Sequence, residues 1–489
     1  MLVPLRCRFC VLVCLCCLVV GAQSVPIGST DVQQHISRIQ SCLRDSVIVK
    51  GDLEVCHAIA KRMEELHVPG VSVAVVHNGV IEWAQGFGVV QAGGKPVTAD
   101  TLFQAGSISK PLAAMAALRL VQQGKLTLDG DVNAVLTSWK VPAAPVAEGR
   151  PVTLRELLTH TAGLTVHGFP GYGANEPVPT LVQVLNGQKP ANTGPIRLES
   201  APGSKWNYSG GGFTVMQQLL LDVTKQPFPR LLHETVLGPI GMTHSTYEQP
   251  LPASLRESAA TSYGDNGVAI AGGAHTYPEM AAAGLWTNPT DLCKYILEVQ
   301  QSLRGQANHV LSAEMTRQMV TPGLGNWGLG LEIGGTAANP YFSHGGVNEG
   351  FESLFVGYEN GGDGAVVMTN AQGGSRLAAE VMSSIAVEYN WPDFRPAVRT
   401  EVKVDREILA RYVGTYQLTP QFGLTFRLDG NQLMTRATGQ PEFPVFPESE
   451  TKFFLKVVDA EVEFFRDDKG AVSYLLLHQG GHEMKGMKQ

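Results

Sequence analysis

Residues 107–123 are apolar almost all the way round. Leu112, Ala113, Met115, Ala116, Leu118, Leu120 and Val121 leave no polar face, so a helix here has to be covered on most of its sides. A chain of 489 residues has the length to supply that cover, with two or three domains expected. Pro111 falls in the first turn, where its missing N–H does no harm, and Gly124 ends the helix. The helix opens with Ala105-Gly106-Ser107-Ile108-Ser109-Lys110. Ser107 and Lys110 therefore share one helical face. A serine hydroxyl becomes a strong nucleophile only when a base takes its proton, and a lysine kept neutral by burial can be that base. Read alone, Ser107 could equally be a helix cap and Lys110 a surface residue, although its neighbours are too apolar to suit a surface. The spacing also occurs by chance. Ser449 and Lys452 repeat it in a turn rich in Pro and Glu.

Further motifs decide between these readings. Downstream come Leu157-Leu158-Thr159-His160-Thr161-Ala162-Gly163-Leu164, then Pro202-Gly203-Ser204-Lys205-Trp206-Asn207-Tyr208-Ser209-Gly210, then Gly284-Leu285-Trp286-Thr287 with Asp291-Leu292. His344-Gly345-Gly346 follows and leads through Gly350-Phe351 to Val366-Val367-Met368-Thr369-Asn370. In order and spacing this set, over roughly residues 50–390, resembles the serine β-lactamase and penicillin-binding-protein superfamily. It is nearest the branch of class C β-lactamases, D-aminopeptidases, D-Ala-D-Ala carboxypeptidases and β-lactamase-like esterases. The resemblance implies that Ser107 is the nucleophile of an acyl-enzyme and Lys110 the neighbouring amine. Tyr208 matches the family's general base, its phenol pKa lowered by nearby cations; the alternative is an ordinary packing aromatic. His344 takes the first position of the third motif, where it could donate to a substrate carbonyl or carboxylate or help polarise Tyr208; the alternative is a turn histidine in solvent. Gly345 and Gly346 let a strand approach the substrate closely. The implied oxyanion hole consists of the N–H groups of Ser107 and Val347.

Two departures bear on substrate. Most β-lactamases carry Lys-Thr-Gly at the third motif, and this chain has no such triplet. The tyrosine motif usually reads Tyr-x-Asn, and Gly210 stands in the asparagine's place. Both tilt the reading from β-lactams and peptides toward esters or unusual amides. The other candidates are a D-amino-acid peptidase, a D-Ala-D-Ala carboxypeptidase, a β-lactamase, or a non-catalytic binding or assembling protein resembling the filament-forming mitochondrial relative.

The expected fold class is α/β, an α+β sandwich: an antiparallel sheet flanked by helices, with a mainly helical inserted subdomain and a small C-terminal β-barrel-like domain. Residues 52–67 have helical periodicity. Residues 71–76 and 80–84 read as a hairpin around His77-Asn78-Gly79. Residues 125–285 alternate helices with Gly/Pro loops, and strand patterns return at 327–333, 354–358 and 365–369. The strands thus come from both ends of the region. After a Pro-rich break at 391–396, short strands with turn signals begin near Ile408. That tail could bind a ligand, cap the cleft, mediate dimerisation or only stabilise. The expected domains are a signal peptide at 1–24, the hydrolase domain at 25–395 and an all-β domain at 404–489.

The first 24 residues read as a secretory signal: Arg6 and Arg8, an apolar run too short to span a bilayer, then Ala22-Gln23-Ser24. The alternative is an uncleaved anchor. Losing the two arginines takes the formal charge from −7 to −9. No basic stripe follows, which argues against nucleic acid. No second long apolar segment is present, so the mature chain is expected to carry no membrane span, secreted or periplasmic. Export makes a Cys42–Cys56 disulfide plausible, against the alternative of two thiols. Cys293, among helical apolar positions, reads as a buried small hydrophobe. No metal or organic cofactor is expected: His233-Glu234-Thr235-Val236-Leu237 lacks the second histidine of a zinc motif, and Gly323-Leu324-Gly325-Asn326-Trp327-Gly328 precedes a strand instead of following one. The absence of a GxSxG elbow argues against an α/β-hydrolase. Asn207-Tyr208-Ser209 is a glycosylation sequon in an implied cleft, and no glycan is expected there. The expected partner is a small ester, amide or D-peptide substrate; the oligomeric state stays open.

Overall fold

Val71, Val73 and Val75 belong to one buried cluster and Ala74 and Val76 to another, so the strand that carries them is covered on both faces. This strand is β1 (Gly70–His77). It turns through Asn78 and Gly79, both at positive φ (51° and 79°), into β2 (Val80–Gly88). Two positive φ values in a two-residue loop match the right-handed twist of the paired strands. The computed structural model describes residues 30–53, 55–419, 422–479 and 482–489. The expected signal peptide, 1–24, lies outside them.

Four more strands complete the sheet: β3 (Glu332–Gly335), β4 (Pro340–Asn348), β5 (Phe351–Tyr358) and β6 (Gly364–Thr369). The order is β2-β1-β6-β5-β4-β3, antiparallel throughout. Helices α1 (Thr30–Ser41) and α5 (Gly374–Glu388) share the cluster of Val71, Val73 and Val75. Helices α2 (Ser109–Gln122), α3 (Gly210–Thr224) and α4 (Pro289–Leu303) share the cluster of Ala74 and Val76. The result is a helix–sheet–helix sandwich, with a mainly helical segment inserted between β2 and β3. All of α2 from Ser109 to Leu118 is buried, as its apolar circumference demands.

Two elements are shorter than their periodicity predicts. Of residues 52–67 only Ile59–Glu65 is helical. Cys56 is tied to Cys42 by a disulfide, and the backbone of His57 exchanges two hydrogen bonds with Leu43 (2.8 and 3.0 Å). Of residues 327–333 only the last two join β3; the Gly328 N–H bonds the Leu331 carbonyl at 2.8 Å and Gly330 turns at φ 89°.

At the C-terminal end, eight antiparallel strands close into a barrel: β7 (Gly414–Thr419), β8 (Phe422–Asp429), β9 (Gln432–Ala437), β10 (Glu442–Pro447), β11 (Lys452–Phe454), β12 (Ala460–Arg466), β13 (Val472–Gln479) and β14 (His482–Lys488). Tyr412, Tyr416, Phe426, Phe453 and Phe464 pack against one another inside it. Its core is filled by side chains, as small barrels require. A parallel pairing of Val47–Val49 with Ala397–Arg399 packs on Phe454 and ties the barrel to the sandwich.

Candidate active site

Ser107 sits in a single 3₁₀ turn (Gly106–Ile108) ahead of α2, at the seam between the sheet and the helical insertion. Lys110 follows inside the helix and is buried. Its Nζ donates to Ser107 Oγ at 2.8 Å and to the Ala282 carbonyl at 2.8 Å. Burial with no carboxylate partner among the described residues lowers its pKa from 10.5 to about 7. The amine is therefore poised between its two protonation states near neutral pH. Ser109 is committed elsewhere: its hydroxyl donates to the Gly106 carbonyl and accepts from the Leu285 N–H.

Tyr208 completes the group. It lines the same cleft as Ser107, and its ring centroid lies 5.0 Å from Lys110 Nζ. The expected lowering of its pKa is wrong in sign. Burial raises the phenol pKa, and the nearby Ser107 side chain offsets only part of this. The nearby amine, itself pushed toward neutrality, cannot outweigh desolvation.

His344 lies on β4 and is buried, not in solvent. Its Nδ1–H donates to the Gly345 carbonyl at 2.5 Å. Burial and the Lys110 charge press its pKa to about 3. The ring is thus neutral with its proton on Nδ1, and Nε2, without a partner among the described residues, is an acceptor. The expected role of donor to a substrate is corrected accordingly: this tautomer offers a lone pair.

Along β4, Gly345 and Val347 are exposed while His344, Gly346 and Asn348 are buried. Gly346 and Gly106 let the strand and the serine turn touch backbone to backbone. A Cβ on Gly106 would stand 2.5 Å from the Val347 nitrogen. The two peptide groups named for an oxyanion hole thus belong to segments in direct contact. A cleft of about 380 Å³ opens here, lined among others by Ser107, Tyr208, Trp327, His344, Val347 and Leu354.

Two residues packed around Tyr208 were missed from sequence. His160 lay in a motif that was noted without a role; it is buried, with its ring centroid 4.2 Å from that of Tyr208. Trp327 read as a strand residue, yet its indole stands over both His160 and Tyr208 (5.0 and 5.8 Å). No sequence signal marked it. The structure also accounts for Gly210: a Cβ there would lie 2.9 Å from Phe169 Cε2, so an aromatic ring fills the space that a side chain at 210 would use.

Other candidates fall away. The Ser449 hydroxyl accepts the backbone N–H groups of Thr451 and Lys452 in a turn, while Lys452 pairs with Glu448 and Glu461. Cys293 is buried, and burial pushes its thiol pKa upward, away from thiolate chemistry.

Comparison with known proteins matches residues 56–386 to the family described as Beta-lactamase and residues 398–488 to a domain of unknown function, DUF3471. Penicillin-binding protein 4* of Bacillus subtilis (strain 168) is 22% identical over 447 residues, 86% of this chain and 95% of that protein. Esterase EstB of Burkholderia gladioli is 30% identical over 190 residues, 37% of this chain and 47% of the esterase. The octameric penicillin-binding protein homologue from Pyrococcus abyssi superposes with a TM-score of 0.60 at 22% identity, covering 87% of this chain and 98% of that one.

Proposed function

The chain belongs to the Beta-lactamase family, and from that premise we propose that it is an exported serine hydrolase that cleaves ester or amide bonds through an acyl-enzyme on Ser107. The observation that carries the reading is the 2.8 Å hydrogen bond between Ser107 Oγ and an amine whose pKa is about 7. Neutral Lys110 takes the Ser107 proton as Oγ attacks the substrate carbonyl. The N–H groups of Ser107 and Val347 meet the oxyanion. As the tetrahedral intermediate collapses, the Tyr208 phenol protonates the leaving group and recovers a proton from the Lys110 ammonium. Water then attacks the acyl group, losing its proton to the amine, and Ser107 leaves reprotonated.

Esters fit this cleft better than D-peptides or β-lactams. Phe169 fills the space beside Gly210 where the Tyr-x-Asn pattern would hold a substrate amide. Neutral His344 gives a substrate carboxylate no cation. The likeness to an esterase points the same way. The basic and apolar run that reads as a secretory signal, together with the Cys42–Cys56 bridge, supports export.

Acid-quenched intact-mass measurement on wild type and Ser107→Ala, with p-nitrophenyl butyrate, a D-Ala-D-Ala peptide and a benzylpenicillin in parallel, tests this. The expected result is a butyryl adduct on wild type alone. An adduct that survives in Ser107→Ala discards the mechanism; one formed only by the peptide or the penicillin discards the ester preference.

A further inference from the structure

His160 accepts hydrogen bonds from the backbone N–H groups of the two residues adjacent to Tyr208. Its carbonyl accepts the Asn207 N–H at 2.8 Å, and its Nδ1 accepts the Ser209 N–H at 3.1 Å. Its ring lies on the Tyr208 ring, with centroids 4.2 Å apart and planes inclined by 34°. Phe213 and Trp327 close on the same imidazole at 5.3 and 5.0 Å, so the ring has no room to swing. The backbone of His160 takes a φ of +57°, a region that non-glycine residues enter at a cost their surroundings must cover. That turn presents carbonyl and ring to one tripeptide.

Because Nδ1 accepts a hydrogen bond, the ring proton is on Nε2 and the imidazole is neutral. Burial, with the Lys110 charge, holds its pKa well below the ordinary value. Nε2 is buried with no partner among the described residues. A residue that served only to fill space would not need this acceptor, this tautomer and this backbone.

We infer that His160 is a positioning residue for Tyr208, fixing the phenol toward Ser107 through the N–H groups of Asn207 and Ser209 and the tilted ring packed on the phenol's own. The inference rests on the proposed role of Tyr208 as proton carrier. A reacting group displaced by 1 Å costs on the order of 100-fold in rate, so the loss should appear in kcat.

The test is a double-mutant cycle with p-nitrophenyl butyrate. His160→Phe keeps the ring and removes the acceptor. His160→Asn removes the ring but keeps an acceptor oxygen at the place of Nδ1 and tolerates the left-handed backbone. Expected are a kcat about 10–100-fold lower for His160→Phe, with KM changed by less than about threefold, and partial recovery of kcat in His160→Asn. In a Tyr208→Phe background either change should cost less than about twofold. An equal loss in that background overturns the inference, since His160 would then act without the phenol. Wild-type kcat for both variants overturns it as well. Full activity of Tyr208→Phe itself would overturn the proposed role of Tyr208, a separate result. If His160→Phe fails to fold, His160→Asn carries the same cycle.

Discussion

Gly346 faces the Ala105 carbonyl so closely that a Cβ at 346 would stand 1.9 Å from that oxygen. The oxygen is backbone and a Cβ is fixed by the backbone that carries it, so neither can rotate away. Gly346→Ala must push β4 off the serine turn and carry the Val347 N–H with it. The expected loss is about 1–3 kcal/mol of stability and, from displaced oxyanion donors, on the order of 100-fold in kcat/KM. Gly345→Ala is the stability control, because its nearest neighbour, the Ser353 carbonyl oxygen, would be 3.9 Å away. Urea titrations of the two variants should differ by more than about 1 kcal/mol. Equal midpoints would mean that the strand is free to retreat.

The pH profile follows from the amine. Lys110 acts as a base only when deprotonated, and burial brings its pKa to about 7. kcat/KM should therefore rise with pH through about 7 and level off above it. Neither His344, held near 3, nor His160, held well below its ordinary value, titrates in that range. Lys110→Arg should be inactive at every pH, since a guanidinium stays charged. An acid limb centred near 4 or 5 would assign the base to a carboxylate and remove Lys110 from the role.

What was readable in the sequence was local, and what was not depended on depth and on distant neighbours. The apolar circumference of α2 announced its burial, and Asn78-Gly79 announced a hairpin; each rests on residues within one element. The motifs around Ser107, Lys110, Tyr208 and His344 are short and continuous, and the fold gathers them at one cleft. The sign of the Tyr208 shift was misjudged because a residue's neighbours can be inferred from motifs but its desolvation cannot. The tautomer of His344 hangs on the Gly345 carbonyl, a matter of ring rotation. Phe169 explains Gly210 only once the chain folds back on itself. Periodicity overran at 52–67 because a disulfide and a pairing with Leu43 claimed part of the backbone.

The Cys42–Cys56 bridge joins cysteines 14 positions apart, and the Cys42 carbonyl accepts the Ser384 hydroxyl of α5. Crosslinks of that span constrain the unfolded chain by about 3 kcal/mol. Replacing both cysteines by serine should lower stability by about that amount while kcat stays at the wild-type value, because no cleft residue lies in the loop. Non-reducing peptide mapping should recover the two cysteines in one crosslinked fragment. Two thiols open to alkylation in native, unreduced protein would contradict the pairing.

Glu279 offers a second pH-dependent measurement, independent of catalysis. It is fully buried just before the turn Met280–Ala283 that supplies the Lys110 acceptor. Burial raises its pKa from 4.5 to about 7, with only its own backbone N–H favouring the charged form. Between those values the unfolded chain has released the proton and the native state keeps it. The contribution to stability is thus complete below 4.5 and is lost as pH rises through about 7. A shift of this size corresponds to about 3 kcal/mol. Lys110 acts in another window: its native pKa is depressed to about 7 from 10.5, so its burial penalty shrinks only as pH climbs above 7. Glu279→Gln removes the first dependence and leaves the second. The stability difference between Glu279→Gln and wild type, from urea unfolding, should grow in the variant's favour by about 3 kcal/mol from pH 4.5 to 8. Any fixed cost of burying the amide cancels in that change. A difference that stays constant across the range would show that the carboxyl titrates alike in both states.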